Sequence, residues 1–222
     1  MSENTICGNL GTKGHGKSYH AMMRIKQFPR YVVFDTIHQY DPKKEMLPLA
    51  VTMKAAGGYM LRMRDALNFA MIIQPSFNEV TRSTQLEWLI RIAFHVGNCA
   101  ILVDEIDQFC NSHTFMKLLP KEDADGNPTK CYLKHLVDCG RHAEVSLVWT
   151  ARRFANVHPD LRAQTDEYAI FRMDEPIEID TVRRTIPGAA DLVTTLPKRH
   201  AVIWKRGSDV LEHWPKVDSD EK

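Results

Sequence analysis

Eight residues near the start of the chain, GTKGHGKS from Gly11 to Ser18, have the types and spacing to bind a phosphate. They fit the pattern G-x-x-x-x-G-K-[S/T], in which glycines let backbone N–H groups close around the β-phosphate of a nucleotide. Lys17 would place its charge over the β- and γ-phosphate oxygens, and Ser18 would offer its hydroxyl to Mg²⁺. A flexible glycine turn with an unrelated lysine is the alternative interpretation.

The residues on either side of this loop favour phosphate binding. NTICGNL, before it, is typical of a buried strand, and SYHAMMRIKQF, after it, is typical of a helix, whose N-terminus favours an anion. We therefore predict that ATP is bound by the loop and the residue that follows it: Gly11, Thr12, Lys13, Gly14, His15, Gly16, Lys17, Ser18 and Tyr19.

A second candidate site is ILVDEID, where an apolar run ends in two carboxylates, Asp104 and Glu105. The stretch resembles the Walker B motif of P-loop ATPases. Asp104 would hold Mg²⁺ through water, and Glu105 would orient or deprotonate the attacking water. A strand that leaves the core into an acidic turn is the alternative. Glu105 favours hydrolysis, because transfer to a small acceptor needs no water-activating base, and Asp107 is interpreted as a solvated turn residue.

These sites require a sheet that brings both strand ends to one edge. YVVFD, from Tyr31 to Asp35, completes a strand–helix–strand unit, and the apolar CAILVDEI is typical of a central parallel strand. The sequence therefore predicts an α/β fold with a mostly parallel central sheet flanked by helices. The other predicted strands are GYMLRMR and FAMIIQP (in the sheet or in a small insert), VSLVWTA, EYAIFRM and a C-terminal hairpin in RHAVIWKRGSDVLEHW; TQLEWLIRIAFHVG and CYLKHLVDCG are predicted helices.

Composition sets wider bounds. The chain has 222 residues, 44% of them hydrophobic and 26% charged, which suits one globular domain, predicted as residues 1–215, with a disordered acidic tail at 216–222. The net charge of +1 creates no global field toward nucleic acid, so DNA binding would need a local basic surface or a ring of subunits. We expect no membrane span or signal peptide, and we expect the five cysteines to be reduced in a cytoplasmic compartment.

Three further stretches extend the match to a family. VVFDTIHQYDP resembles the "DP-x-x-E-Y" region of FtsK/HerA-type ATPases, GRHAEVSLVWTARR resembles their "GR-x-x-G-v-s-l-i-x-x-[TS]-Q-R" stretch, and HPDLRAQTDEYAIFRMDEP resembles their "l-x-x-Q-x-d-x-i-i-f-R" stretch. The resemblance implies a RecA/ASCE-like P-loop NTPase core. A core this short looks like the genome-packaging ATPases of tailless, membrane-containing icosahedral viruses.

The resemblance implies a homo-hexameric, Mg²⁺-dependent ATPase that drives double-stranded DNA into a preformed capsid. The implied partners are double-stranded DNA, gripped through its backbone, capsid or portal-vertex proteins, and membrane proteins at the capsid vertex. The implied location is the host cytoplasm or the virion. A filamentous-phage assembly ATPase of the Zot-like group is the first alternative; a P-loop kinase and a non-enzymatic scaffold are weaker ones.

Several residues are candidates for completing the catalytic site. The family typically has a Gln γ-phosphate sensor where this chain has Ala151, so either the preceding Thr150 senses the phosphate or the register of the match differs. An arginine supplied in trans is expected to stabilise the γ-phosphate, and the candidates are Arg153, Arg141 and Arg152, in that order.

Candidates for DNA contact surround the polar loop from Leu119 to Lys130. They are Lys117, Lys121, Lys130 and Lys134, with Arg62, Arg64 and Arg82 as weaker ones. Ordinary solvated side chains are the alternative for each. Cys131, His135 and Cys139 lie on one predicted helix face, but three ligands on one helix do not surround a tetrahedral Zn²⁺, so buried thiols beside a histidine are the preferred interpretation.

Overall fold

The computed structural model describes residues 4–113, 115 and 131–214. Within these residues the chain forms a nine-stranded sheet in the order β3-β4-β2-β5-β6-β1-β7-β8-β9. Strands β1 to β7 run parallel, and β8 and β9 add an antiparallel hairpin at one edge. The predicted α/β fold and C-terminal hairpin are confirmed. The strands are β1 (Ile6–Leu10), β2 (Arg30–Phe34), β3 (Leu49–Ala50), β4 (Phe69–Ile73), β5 (Cys99–Val103), β6 (Val145–Ala151), β7 (Glu167–Phe171), β8 (Ala201–Lys205) and β9 (Leu211–Trp214).

Helices cover both faces of the sheet unequally. A large apolar core packs one face beneath α3 to α8, and a smaller core packs the opposite face, where α1 contributes Ala21, Met22 and Ile25. The phosphate loop therefore leads into a helix that packs on this second face. The helices are α1 (Lys17–Ile25), α2 (Pro42–Glu45), α3 (Met53–Arg62), α4 (Glu79–Val96), α5 (Tyr132–Cys139), α6 (Pro159–Gln164), α7 (Pro176–Thr185) and α8 (Ala189–Val193), with 3₁₀ turns at Ile106–Gln108, Gly140–Ala143 and Phe154–Asn156.

The sheet order brings the two predicted sites together. Strand β6 lies between β1, which leads into the phosphate loop, and β5, which ends before Asp104. Because all three strands are parallel, their carboxyl ends share one edge of the sheet. Register places Leu10 beside Ala151, and Val103 beside Trp149 two residues earlier on β6. The residues that follow these strands therefore converge.

The predicted strand GYMLRMR is wrong. These residues lie mostly in α3, which begins after Thr52, whose hydroxyl accepts a hydrogen bond from the Ala55 amide at 3.1 Å. Ala56 and Met60 are buried four residues apart, a helical spacing. Gly57 allows α3 to pack closely on α4, since a Cβ there would lie 2.2 Å from the Trp88 ring.

Other sequence interpretations can be placed on the fold. Cys7 and Cys99 are buried in β1 and β5, and none of the five cysteines, all of them among the described residues, forms a disulfide. The cysteine-histidine face of α5 makes packing contacts: Cys131 Sγ donates to Glu87, and His135 lies against Phe94. Among the described residues no helix is both long and apolar enough to cross a membrane. The predicted loop at 119–130 lies outside the described residues, as does the predicted tail at 216–222.

Candidate nucleotide site

The phosphate loop has the backbone conformation that its glycines predicted. Gly11, Gly14 and Gly16 have φ angles of 138°, 80° and 106°, in the region that favours glycine. Gly11 also lies against the neighbouring strand, because a Cβ there would meet Phe171 Cβ at 2.7 Å. The loop ends at Gly16, where α1 begins, so the N-terminal amides of α1 face the loop.

Lys17 is folded back onto the loop. Its Nζ donates to the Thr12 carbonyl at 3.0 Å, and Thr12 in turn donates through its amide and hydroxyl to the Arg172 carbonyl at 2.9 and 3.0 Å. Burial, and after it the nearby positive charge of Arg152, lower the pKa of Lys17 to about 8. A buried ammonium with only a carbonyl partner is well suited to bind a phosphate anion.

The other predicted loop residues differ in exposure. Thr12, Lys13, Gly14 and Tyr19 are exposed, while His15 and Ser18 are partly buried. Burial lowers the pKa of His15. Sequence reasoning did not identify the contact between the loop and the Arg172 carbonyl, which depends on pairing of β1 with β7.

Asp104 is buried at the carboxyl end of β5 and is held from two sides. Its Oδ1 accepts from the Thr150 hydroxyl at 2.8 Å, and its Oδ2 accepts from the Gln39 amide at 2.7 Å. Burial raises the pKa of Asp104 to about 7, against the effect of the Thr150 hydrogen bond. The carboxylate is thus oriented before any metal binds.

Glu105 follows with a left-handed backbone, at φ 52°. Its amide donates to Thr150 Oγ1 at 2.9 Å, so one hydroxyl joins both carboxylate residues. The Glu105 carboxylate forms an ion pair with Arg152 and accepts a hydrogen bond from the Gln108 amide. The γ-phosphate-sensor role of Thr150 stays a prediction; its position is between Asp104 and Glu105.

Residues after β2 complete the site and were not assigned roles from the sequence. The buried Asp35 carboxylate accepts from the amides of Gln39 and Tyr40, both at 3.0 Å. Tyr40 then donates its hydroxyl to the Ser18 carbonyl at 3.2 Å, while Gln39 reaches Asp104. The available signal was the polar VVFDTIHQYDP segment, which follows the strand adjacent to β5.

The predicted Mg²⁺ ligands have suitable chemistry. Ser18 and Asp104 supply hydroxyl and carboxylate oxygens, the hard donors that Mg²⁺ prefers. The segment after β2 contacts both residues: Tyr40 donates to the Ser18 carbonyl, and Gln39 donates to the Asp104 carboxylate. Within the described residues no three His, Cys, Asp or Glu side chains form a metal-binding group. A site of two protein ligands completed by phosphates and water fits that finding, because Mg²⁺ in nucleotide sites is held in this way.

The three candidate arginines occupy different positions. Arg152 is paired with Glu105 of its own chain. Arg153 is exposed at the carboxyl edge of the sheet, just after β6. Arg141 is exposed in the turn before β6 and therefore lies at the opposite edge.

Two sequence interpretations are wrong at the side-chain level. Asp107 is not a solvated turn residue: burial raises its pKa to about 6, and its Oδ1 is buried without a hydrogen-bond partner. Arg82 is not available to DNA, because it is buried and lies over the Phe109 ring.

The other candidates for DNA contact differ in what the structure shows of them. Arg62 and Arg64 are exposed, and Lys134 pairs with Asp138. Three further candidates lie outside the described residues: Lys117, Lys121 and Lys130.

The fold and this site define a P-loop NTPase architecture with one strand between the phosphate-loop strand and the acidic strand. Solved structures of the genome-packaging NTPase B204 from Sulfolobus turreted icosahedral virus 2 share it. With the B204–ATP-γS complex the TM-score is 0.71 at 18% identity, covering 98% of this chain and 100% of that one. With the B204–AMP complex the TM-score is 0.69 at 17% identity, covering 98% of this chain and 100% of that one.

A second similar structure is larger. EssC ATPases 2 and 3 from Geobacillus thermodenitrificans give a TM-score of 0.51 at 13% identity, over 100% of this chain and 41% of that one. The sequence matches no family model, and no curated protein sequence matches it. The likeness to B204 extends over nearly all of both chains, so it establishes the fold as a whole.

Proposed function

We propose that this chain is an ATP-hydrolysing motor that translocates double-stranded DNA and packages a viral genome into a preformed capsid. The observation that carries the proposal is the meeting of Lys17, Asp104 and Glu105 at one edge of a sheet whose whole architecture is similar to a genome-packaging NTPase. The charges of both carboxylates raise the pKa of Lys17, so the three groups lie near one another in one site.

The chemistry that these residues support is attack of water on the γ-phosphate. The loop amides and Lys17 would hold the β- and γ-phosphates, and Ser18 and Asp104 would hold Mg²⁺, which supplies charge neutralisation when bound. Glu105 would orient and deprotonate the water. An arginine from a neighbouring subunit would cover the side of the γ-phosphate that Lys17 does not reach.

A homo-hexameric ring is part of the proposal. The net charge of +1 gives one subunit little attraction for DNA, whereas a closed ring encloses the duplex and multiplies each weak phosphate contact. The proposed partners are therefore the DNA backbone and the proteins of the capsid vertex, including membrane proteins there. The proposed setting is the host cytoplasm or the assembling virion.

The test is phosphate release from Mg²⁺-ATP with and without double-stranded DNA, using wild type and Lys17→Ala. We expect DNA to stimulate the wild type, and we expect the variant to be inactive in both conditions. Hydrolysis that ignores DNA would contradict the motor and favour an assembly ATPase that acts on a protein complex. Undiminished turnover by Lys17→Ala would contradict the nucleotide site itself.

A further inference from the structure

Glu105, the residue expected to activate water, is held by side chains of its own chain. One carboxylate oxygen, Oε1, pairs with the Arg152 guanidinium, and the other, Oε2, accepts from the Gln108 amide. The Glu105 side chain is only 12% exposed, so these two partners account for much of its environment. Both carboxylate oxygens therefore already have partners, and an attacking water has to compete with those partners for Glu105.

Arg152 has a second neighbour, Lys17. Among the charged groups around Lys17, the Arg152 guanidinium has the largest influence on its pKa and lowers it. The carboxylates of Asp104 and Glu105 act on Lys17 in the opposite direction, and a phosphate bound beside Lys17 would add negative charge that also attracts the Arg152 guanidinium. Lys17 is the residue expected on the β- and γ-phosphates, and Arg152 directly follows the strand between β1 and β5. The γ-phosphate is thus expected within reach of Arg152.

The two residues before Arg152 have no side-chain donor available for the γ-phosphate. Ala151 is buried and ends in a methyl group, so it offers no donor to a phosphate. Thr150 is also buried, and its hydroxyl is engaged by Asp104 and by the Glu105 amide. Arg152 is 44% exposed, so its guanidinium has room to change partners.

We propose, on the basis of the function proposed above, that Arg152 is a positioning residue that holds Glu105 inactive until ATP binds. The γ-phosphate then takes the guanidinium, since its oxygens carry more charge than one carboxylate and accept the planar fork of an arginine. Glu105 is released toward the attacking water, while Gln108 still orients its other oxygen. ADP lacks the γ-phosphate. With ADP bound, Arg152 therefore stays on Glu105, and Glu105 stays inactive.

The test compares the affinities of the full-length chain for Mg²⁺-AMPPCP and Mg²⁺-ADP by calorimetry. Wild type should prefer the triphosphate analogue, and Arg152→Ala should lose that preference by about tenfold, because it loses a charge-assisted contact, with ADP affinity unchanged. Arg152→Lys should recover part of the preference. Gln108→Ala, which removes the other hydrogen bond to Glu105 and no charge, and Arg184→Ala, an exposed charge control, should keep all of that preference.

An equal loss of affinity for AMPPCP and for ADP in Arg152→Ala would overturn the proposal, because it would indicate a general electrostatic or structural effect. An unchanged preference would overturn it as well. Crystal structures with ADP and with AMPPCP give a second measurement: Arg152 should contact Glu105 in the first and the γ-phosphate in the second, and contact with Glu105 in both would contradict the exchange. The exchange of Arg152 can fail these tests while DNA still stimulates hydrolysis that depends on Lys17. In that case the proposed function stands, and only the role of Arg152 is wrong.

Discussion

At the scale of single residues, Thr150 connects Asp104, the proposed metal ligand, with Glu105, the proposed base. Its hydroxyl donates to Asp104 and accepts from the Glu105 amide, and it is almost fully buried. Removing the hydroxyl would leave a buried carboxylate oxygen and a buried amide without partners, and each such group costs about 1–3 kcal/mol. Thr150 therefore fixes how both carboxylates enter the site.

The first prediction is that Thr150→Val reduces the maximal ATPase rate and raises the Mg²⁺ concentration needed for half of it, since Asp104 and Glu105 lose their common partner. Thr150→Ser keeps the hydroxyl and should retain most activity. The measurement is a Mg²⁺ titration of steady-state phosphate release for both variants. Equal activity of Val and Ser variants would show that the hydroxyl does not position the carboxylates.

The second prediction concerns pH. The pKa of Lys17 is lowered from 10.5 to about 8, so the ammonium loses its proton as pH rises through 8 instead of above 10. ATP needs the charged form, and binding should weaken about tenfold between pH 7 and pH 9, with proton uptake at the higher pH. Lys17→Arg, charged throughout, should bind with little pH dependence. A flat profile for wild type, or tighter binding at pH 9, would contradict the lowered pKa.

Residues of the site differ in how far the sequence could predict them. The phosphate loop is contiguous, and each position has a local physical reason, so Gly11 to Ser18 could be assigned from the pattern. Gln39 reaches Asp104 across 65 residues, and Arg152 reaches Glu105 from another strand. Such contacts depend on strand order and register, which no local pattern contains.

At the scale of elements, β1 must approach β6 closely so that the phosphate loop starts one strand away from the acidic strand β5. Gly8 makes this approach possible, because a Cβ there would lie 2.5 Å from the fully buried ring of Trp149. The ring packs against Tyr168 and its indole N–H donates to Thr165, so it has little freedom to move. The position of the loop thus depends on a glycine outside the motif.

The third prediction is that Gly8→Ala destabilises the fold by about 1–3 kcal/mol, the usual cost of overpacking a core, and weakens ATP binding through displacement of β1. Urea unfolding and calorimetry measure the two effects. The control is Gly58→Ala in α3, where the new Cβ would meet only the end of Arg62 at 3.6 Å and should be neutral or stabilising by up to about 1 kcal/mol. Equal stability of the two variants would mean that β1 has room to shift.

The errors at this scale have physical causes. GYMLRMR contains Tyr59, a residue type enriched in strands, yet the Thr52 cap and burial of Ala56 and Met60 against the sheet produce a helix. Helices α7 and α8 were not predicted because their buried residues, Val182 and Val193 among them, are few and pack only in the tertiary structure. The strands β1, β2, β5, β6 and β7 were predicted because buried parallel strands are continuously apolar.

At the scale of the whole molecule, the arginine proposed to come from a neighbouring subunit has two exposed candidates. Arg152 is already paired with Glu105, while Arg153 and Arg141 are exposed and lie at opposite edges of the sheet. A residue at the amino edge cannot reach the phosphate loop of its own subunit, but in a ring it could reach that of a neighbour. Arg153 and Arg141 are therefore the leading candidates for a shared site.

The fourth prediction is that an alanine variant of the shared arginine is inactive alone, by about a thousandfold, and is partly rescued by mixing with Lys17→Ala. In mixed rings some interfaces pair an intact Lys17 with an intact arginine. ATPase activity of mixtures over a range of ratios is the measurement, with Arg184→Ala as an exposed control that should be active alone. If neither Arg153→Ala nor Arg141→Ala is both inactive and rescued, neither supplies the arginine.

Movement of the chain along double-stranded DNA, driven by ATP hydrolysis at this site, can be measured as displacement of a triplex-forming strand from linear DNA. Wild type should displace the strand only with Mg²⁺-ATP. Glu105→Gln should bind ATP through the intact Lys17 and Asp104 and yet displace nothing, because it lacks the base. Wild type that hydrolyses ATP without displacing the strand, or Glu105→Gln that displaces it as fast as wild type, would contradict the account.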